Sequence, residues 1–122
     1  MRVRQPAVAG RFYPASKEAI IEQIETIREK ELPNIDLSLK DKTIFGGVVP
    51  HAGYMFSAYQ AVHFFEIIKQ SGVRYDTVII INPNHTGMGH ELAFDSHDAR
   101  ATPLGQVELD VEFGNKLGIS IS

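Results

Sequence analysis

Thr43-Ile44-Phe45-Gly46-Gly47-Val48-Val49-Pro50-His51-Ala52-Gly53-Tyr54 and, further on, Ile79-Ile80-Ile81-Asn82-Pro83-Asn84-His85-Thr86-Gly87 decide how this chain reads. Both are apolar runs that end in a proline and a histidine. Between them, Ser57 to Ser71 carries Ala58, Ala61, Val62, Phe65 and Ile68 at helical spacing, so the sequence predicts strand, helix, strand. A crossover of this kind makes its two strands parallel and brings both carboxyl ends to one rim of the sheet, where open α/β folds place their ligands. His51 and His85 are then expected as neighbours. Adjacent strands lie ~4.8 Å apart, and two outward imidazoles at that spacing can share one divalent metal ion through bonds of ~2.1 Å. Neutral imidazole suits iron, zinc or copper, with iron placed first and zinc or copper as alternatives. The plain reading of each histidine is a strand-end residue bonded to a carbonyl. It is the matched placement of the two that favours a metal site.

Outward from this unit, Arg2 to Phe12 reads as an extended segment, and Pro14 and Ser16 mark the entry to a helix. Ser16 is an N-cap candidate with Glu18 in the first turn, and Ile20, Ile24 and Ile27 form the apolar stripe. Glu22, Glu25, Arg28, Glu29, Lys30 and Glu31 are expected on the solvated face. Leu32-Pro33-Asn34 ends the helix, and a polar connection leads to the strand expected over Thr43 to Val49. Later, short strands are expected around Leu92 to Phe94 and Gln106 to Leu109, then a helix from Val111 to about Leu117 capped by Asp110. Gly118 to Ser122 alternates like the start of a strand, which suggests an unpaired sheet edge and a homo-oligomer formed through it.

The net charge is −3, from 12 basic and 15 acidic residues mixed along the chain, and 43% of the residues are hydrophobic. A folded domain fits this composition, and a nucleic-acid partner does not. The chain has no cysteine, so disulfides, thiol nucleophiles and thiolate metal sites are excluded from it. No apolar run approaches the ~20 residues that span a bilayer and no signal-peptide core is visible, so no membrane is expected and a cytoplasmic protein is. Gly87-Met88-Gly89 lacks the Gly-Lys-Ser/Thr element of a phosphate loop, and neither Ser57 nor Ser71 stands in a nucleophile elbow.

Gln5-Pro6-Ala7-Val8-Ala9-Gly10-Arg11-Phe12-Tyr13-Pro14, Pro50-His51-Ala52-Gly53-Tyr54, Asn82-Pro83-Asn84-His85-Thr86-Gly87 and Thr102-Pro103-Leu104-Gly105 occur in the order found in the Memo-like family. The chain resembles that family from Arg4 to about Leu117. The resemblance implies a single Memo-like domain over residues 1–122, forming the amino-terminal portion of a longer unit. The implied fold is α/β, with a mainly parallel or mixed sheet and flanking helices, similar to the class III extradiol dioxygenases and incomplete within this span. It also implies that His51 and His85 are the first two metal ligands and that the remaining ligands lie beyond Ser122. The implied activity is a dioxygenase-like oxidoreduction on non-haem iron. The alternative is a non-catalytic metal- or peptide-binding module.

For the substrate, Tyr54 is a candidate donor to a ligand oxygen and Asn84 a candidate polar contact, each with a structural alternative as a helix-start or turn residue. Arg11 is a candidate for binding a carboxylate of a small-molecule or peptide ligand, against the commoner fate of an exposed arginine. Phe12-Tyr13-Pro14 reads first as packing before the helix and second as pocket lining. His90 and His97 read as solvated loop residues, although His97-Asp98 could form an acid–base pair. His63 is expected at the edge of the crossover helix's buried face.

Overall fold

A computed structural model describes residues 1–118 and the backbone of Ser120 and Ile121. Its order is β1 (Val3–Arg4), α1 (Lys17–Glu31), two 3-10 turns (Leu32–Asn34 and Leu37–Asp41), α2 (Tyr54–Ser71), β2 (Ala93–Phe94), β3 (Ala99–Thr102), β4 (Gly105–Glu108), α3 (Val111–Lys116) and β5 (Ser120–Ile121). The fold class is α/β, as expected, with small sheets that mix parallel and antiparallel pairs. Two compact units form, one from Ala7–Arg74 and one from Met1–Pro6 with Tyr75–Ser122. No helix among the described residues is long and apolar enough to cross a membrane.

The continuous unit, 7–74, is built on α1 against α2. Ser16 caps α1 as its sequence predicts, its Oγ accepting from the Ala19 amide at 3.2 Å. That bond satisfies one of the amides that a helix start leaves unpaired. Ile20 and Ile27 are buried and Ile24 is partly so, as the stripe requires. At the far end of α2, Gly72 takes φ +68°, the left-handed geometry that ends a helix at low cost for glycine. The buried positions of α2 are Ser57, Ala58 and Glu66, while Phe65, expected in the core, is more than half exposed.

Phe65's neighbour Glu66 is buried instead. Its carboxylate accepts from Arg28 Nε at 2.8 Å and Arg28 Nη2 at 2.9 Å, and from Gln70 Nε2 at 2.8 Å. Arg28 therefore does not lie on a purely solvated face: it reaches across to α2 and makes a bidentate pair, the strong geometry for guanidinium and carboxylate. The bonds from Arg28 and then Gln70, opposed by burial, hold the Glu66 carboxyl down to about 2. Glu31, also expected in solvent, meets His63 Nε2 at 3.2 Å, which places His63 at the helix edge as expected.

In the other unit, β1 pairs with β3 in parallel, with Val3 opposite Ala99 and Arg4 opposite Arg100. β3 and β4 form an antiparallel hairpin turned by Pro103 and Leu104, and β2 pairs with β5 in parallel. The strand expected at Gly118 to Ser122 is present at Ser120 and Ile121, whose backbone pairs with β2 along one edge; Ile119 and Ser122 lie outside the described residues. Ala99 is completely buried. Asp110 caps α3 as expected, its Oδ1 accepting from the Phe113 amide at 3.0 Å. Gly114 of α3 lies flat against the Phe94 ring, and a Cβ there would overlap it.

The two runs that suggested a crossover depart most from expectation. Among the described residues, neither Thr43–Val49 nor Ile79–Ile81 belongs to a strand. Phe45 is 97% exposed and Ile81 92%. A strand exists only through a neighbour that takes up its amides and carbonyls, and a run that is apolar at successive positions needs cover on both faces. Local sequence supplies the composition of such a strand but not its neighbour.

Candidate functional site

The first stretch, 50–54, lies in the 7–74 unit and is fixed from two sides. Upstream, the chain from Val8 to Tyr13 folds into a tight turn. The Arg11 and Phe12 amides both donate to the Val8 carbonyl at 3.0 Å, and the Gly10 amide donates to the Tyr13 carbonyl at 2.7 Å. Gly10 has φ +83°, which a side chain would strain. This turn docks on the start of α2: the Tyr54 amide donates to the Phe12 carbonyl at 2.8 Å, and the Tyr13 and Tyr54 rings stand 5.5 Å apart, tilted by 42°. The packing reading of Phe12-Tyr13-Pro14 holds for Tyr13. Only the first residues of the extended segment expected over Arg2 to Phe12 form a strand.

Downstream, the Ser57 hydroxyl reaches back to the Ala52 carbonyl at 2.8 Å and the Gly53 carbonyl at 3.1 Å. Gly53, the N-cap of α2, packs against the 8–13 turn, where an added Cβ would sit 3.4 Å from the Phe12 carbonyl oxygen, in ordinary van der Waals contact. His51, just ahead of these anchors, is exposed. The loop is therefore held at Ala52 and Gly53 while His51 stays accessible. Burial, and secondarily the nearby Tyr13, pushes the Tyr54 phenol above its ordinary value, so it remains protonated and able to donate. Arg11 is exposed beside this turn.

The second stretch, 82–88, lies in the other unit and is held by Asn84. Its Oδ1 accepts from the Thr86 hydroxyl and the Gly87 amide, both at 3.1 Å, and its Nδ2 donates to the Met88 carbonyl at 2.7 Å. The Met88 amide donates to Thr86 Oγ1 at 3.3 Å. Gly87 turns with φ +67°. Asn84 thus closes the loop on both sides of His85, which is exposed. One Nδ2 hydrogen is committed to the Met88 carbonyl.

Sequence reasoning missed a third cluster. Asp95, whose side chain is 7% exposed, accepts from Arg4 Nη1 at 3.1 Å, Arg100 Nε and Nη2 at 2.8 Å, the His97 amide at 3.0 Å and His97 Nδ1 at 2.6 Å. Burial pushes this carboxyl up, but the bonds from His97, Arg100 and Arg4 outweigh it and hold the group well below the usual carboxylate range. His97 is accordingly half-buried rather than solvated, and its partner is Asp95, two residues back, not Asp98. Asp98 instead accepts from the Arg2 amide at 2.6 Å. The parallel register sets Arg4 beside Arg100, and a single sequence shows no sign of that register until the pairing is known.

Among the described residues no group of three or more His, Asp or Glu side chains is arranged to hold a metal ion. Two imidazoles without a thiolate are a donor set that suits iron, zinc or copper as part of a larger ligand shell.

Comparison with known proteins completes the picture. A family profile described as Memo-like protein matches residues 4–121. The chain is 44% identical over 117 residues to a MEMO1 family protein of Methanopyrus kandleri, covering 93% of this chain and 41% of that protein. It is 45% identical over 112 residues to one from Pyrobaculum arsenaticum, covering 90% and 40%. With one from Thermococcus kodakarensis it shares 38% identity over 115 residues, covering 94% and 38%. The chain spans about two fifths of the length of these curated relatives. No solved structure matches it. The profile match over nearly every residue establishes that this chain belongs to the Memo-like family.

Proposed function

We propose that His51 and His85 contribute two imidazole ligands to a divalent-metal site, iron in the first instance, in a dioxygenase-like oxidoreductase of the Memo-like family. The observation that carries this reading is that each histidine is exposed on a loop fixed by its own neighbours, His51 by Ser57 and the 8–13 turn, His85 by Asn84. Loops held in this way keep an imidazole accessible and limit its wandering, which is what a ligand position requires. The remaining ligands come from polypeptide outside this span, since the relatives are more than twice as long. A bound divalent ion would supply Lewis acidity and open positions for substrate. Tyr54, kept protonated by burial, donates a hydrogen bond to a substrate oxygen, Arg11 receives a carboxylate, and the second Nδ2 hydrogen of Asn84 orients a polar group.

The test is elemental analysis of the chain beside a His51→Ala, His85→Ala double variant after equal anaerobic exposure to Fe(II). Iron held by the chain and lost in the variant supports the reading. Equal, negligible iron in both sinks it for this chain and leaves the non-catalytic binding module, whose affinity for a peptide or small ligand survives the double substitution.

A further inference from the structure

Asp95 gathers more positive charge than a brace between two strands needs. Its Oδ2 accepts from Arg4 Nη1 at 3.1 Å and from Arg100 Nε and Nη2 at 2.8 Å, and its Oδ1 accepts from the His97 amide at 3.0 Å and His97 Nδ1 at 2.6 Å. β1 and β3 are parallel with Arg4 opposite Arg100, so two like charges face each other on adjacent strands, which costs stability unless an anion lies between them. Asp95 is that anion, yet it carries one charge against their two. Arg2 brings a third guanidinium, its Nη1 donating to the Ser96 carbonyl at 3.4 Å, and Asp98 a second carboxylate, accepting from the Arg2 amide at 2.6 Å. Three guanidiniums against two carboxylates leave the cluster with a net charge of +1 while His97 is neutral, in a chain that carries −3.

The donors that Asp95 leaves over are held in place by those it engages. Arg4 engages it through Nη1, which leaves the Nε–Nη2 fork, and Arg100 engages it through Nε and Nη2, which leaves Nη1. Among the described residues these remaining groups have no hydrogen-bond partner. The Arg4 and Arg100 side chains are 54% and 45% exposed and that of Asp95 only 7%, so the carboxylate anchors the two guanidiniums from the protein side. We infer that Arg4 and Arg100, braced by Asp95, form a binding site for the carboxylate of a small organic acid. A guanidinium fork is planar and matches the two oxygens of a carboxylate. Arg4 supplies that fork and Arg100 Nη1 a further donor, and one carboxylate charge brings the cluster from +1 to zero. Asp95 stays ionised, so the brace persists through the neutral pH range. The site uses neither His51 nor His85 and requires no metal.

The experiment titrates the chain with acetate at constant ionic strength, following the arginine Nε–H resonances by NMR with chloride as the reference ion. The expected result is a saturable shift at Arg4 and Arg100 and none at Arg74, an exposed arginine of the other unit. Arg4→Lys keeps the charge and loses the fork, and should weaken acetate binding at least about tenfold, whereas Arg74→Lys should leave it unchanged. Protection of the buried Ala99 amide reports whether the Lys variant keeps its fold. The unaltered chain gives a second reading that depends on no variant: acetate should slow modification of Arg4 and Arg100, but not of Arg74, by an arginine-selective dicarbonyl reagent. Succinate binding at least about tenfold tighter than acetate assigns the ligand as a diacid whose second carboxylate meets Arg2, and equal binding assigns a monoacid. Shifts that follow ionic strength alone, or a response to phosphate with none to acetate, overturn the inference.

Discussion

Glu66→Gln tests the energetics of the helix pair directly. The substitution keeps the shape of the side chain and removes the charge that Arg28 and Gln70 address. In the folded chain the carboxyl titrates near 2, against an ordinary 4.5. At about 1.4 kcal/mol per pH unit the difference corresponds to about 3 kcal/mol. Arg28 retains 28% of its side-chain exposure, and solvent screening reduces the figure to about 2 kcal/mol. The sign follows from a depressed value: the contribution is complete above pH 4.5 and disappears as the pH falls toward 2. Urea unfolding, followed by amide exchange in α2, should show the Gln variant about 2 kcal/mol less stable at neutral pH, with the gap narrowing from about pH 5 downward. A gap below about 0.5 kcal/mol at neutral pH, or one unchanged by acid, would refute the assignment of this pair as the brace between α1 and α2.

Asp95→Ala should destabilise the 1–6 and 75–122 unit by about 2–3 kcal/mol, because it strips Arg4, Arg100 and His97 of a shared, nearly buried acceptor; faster exchange of the buried Ala99 amide is the readout. Asn84→Ala should release the 84–88 loop and accelerate exchange at the Gly87 amide at least about tenfold while leaving α3 untouched. If Gly87 exchange is unchanged, Asn84 does not hold the loop.

The elements that sequence reading locates well are those whose cause is local. Ser16 and Asp110 each accept an amide three residues on, so cap and helix lie within one window of sequence. The stripe of Ile20, Ile24 and Ile27 likewise predicts α1. Composition is a poorer guide where a distant partner decides. Arg28 and Glu31 read as surface charges, yet each has its counterpart on α2, in Glu66 and His63. Phe65 reads as core and is more than half exposed, while the neighbouring Glu66 is buried. β3 went unexpected because its identity as a strand depends on β1, from the opposite end of the chain. Of the candidate site, the sequence supplies the candidates His51 and His85; the bracing of the 51–53 loop by Ser57 and of the 84–88 loop by Asn84 is visible only in the fold.

The pairing of β1 with β3 has a consequence for how the chain comes into being. Ala7–Arg74 is continuous, so α1 and α2 can meet as soon as residue 74 has been synthesised. β1 is made before α1 and α2, yet its contacts wait: Arg2 and Asp98 are separated by 96 positions. At ~5–20 residues per second that interval is about 5–20 s, and closing a loop of this length costs ~4 kcal/mol of chain entropy. During translation Arg4 therefore emerges without Asp95, and β1 remains unanchored until the residues of β3 have been made.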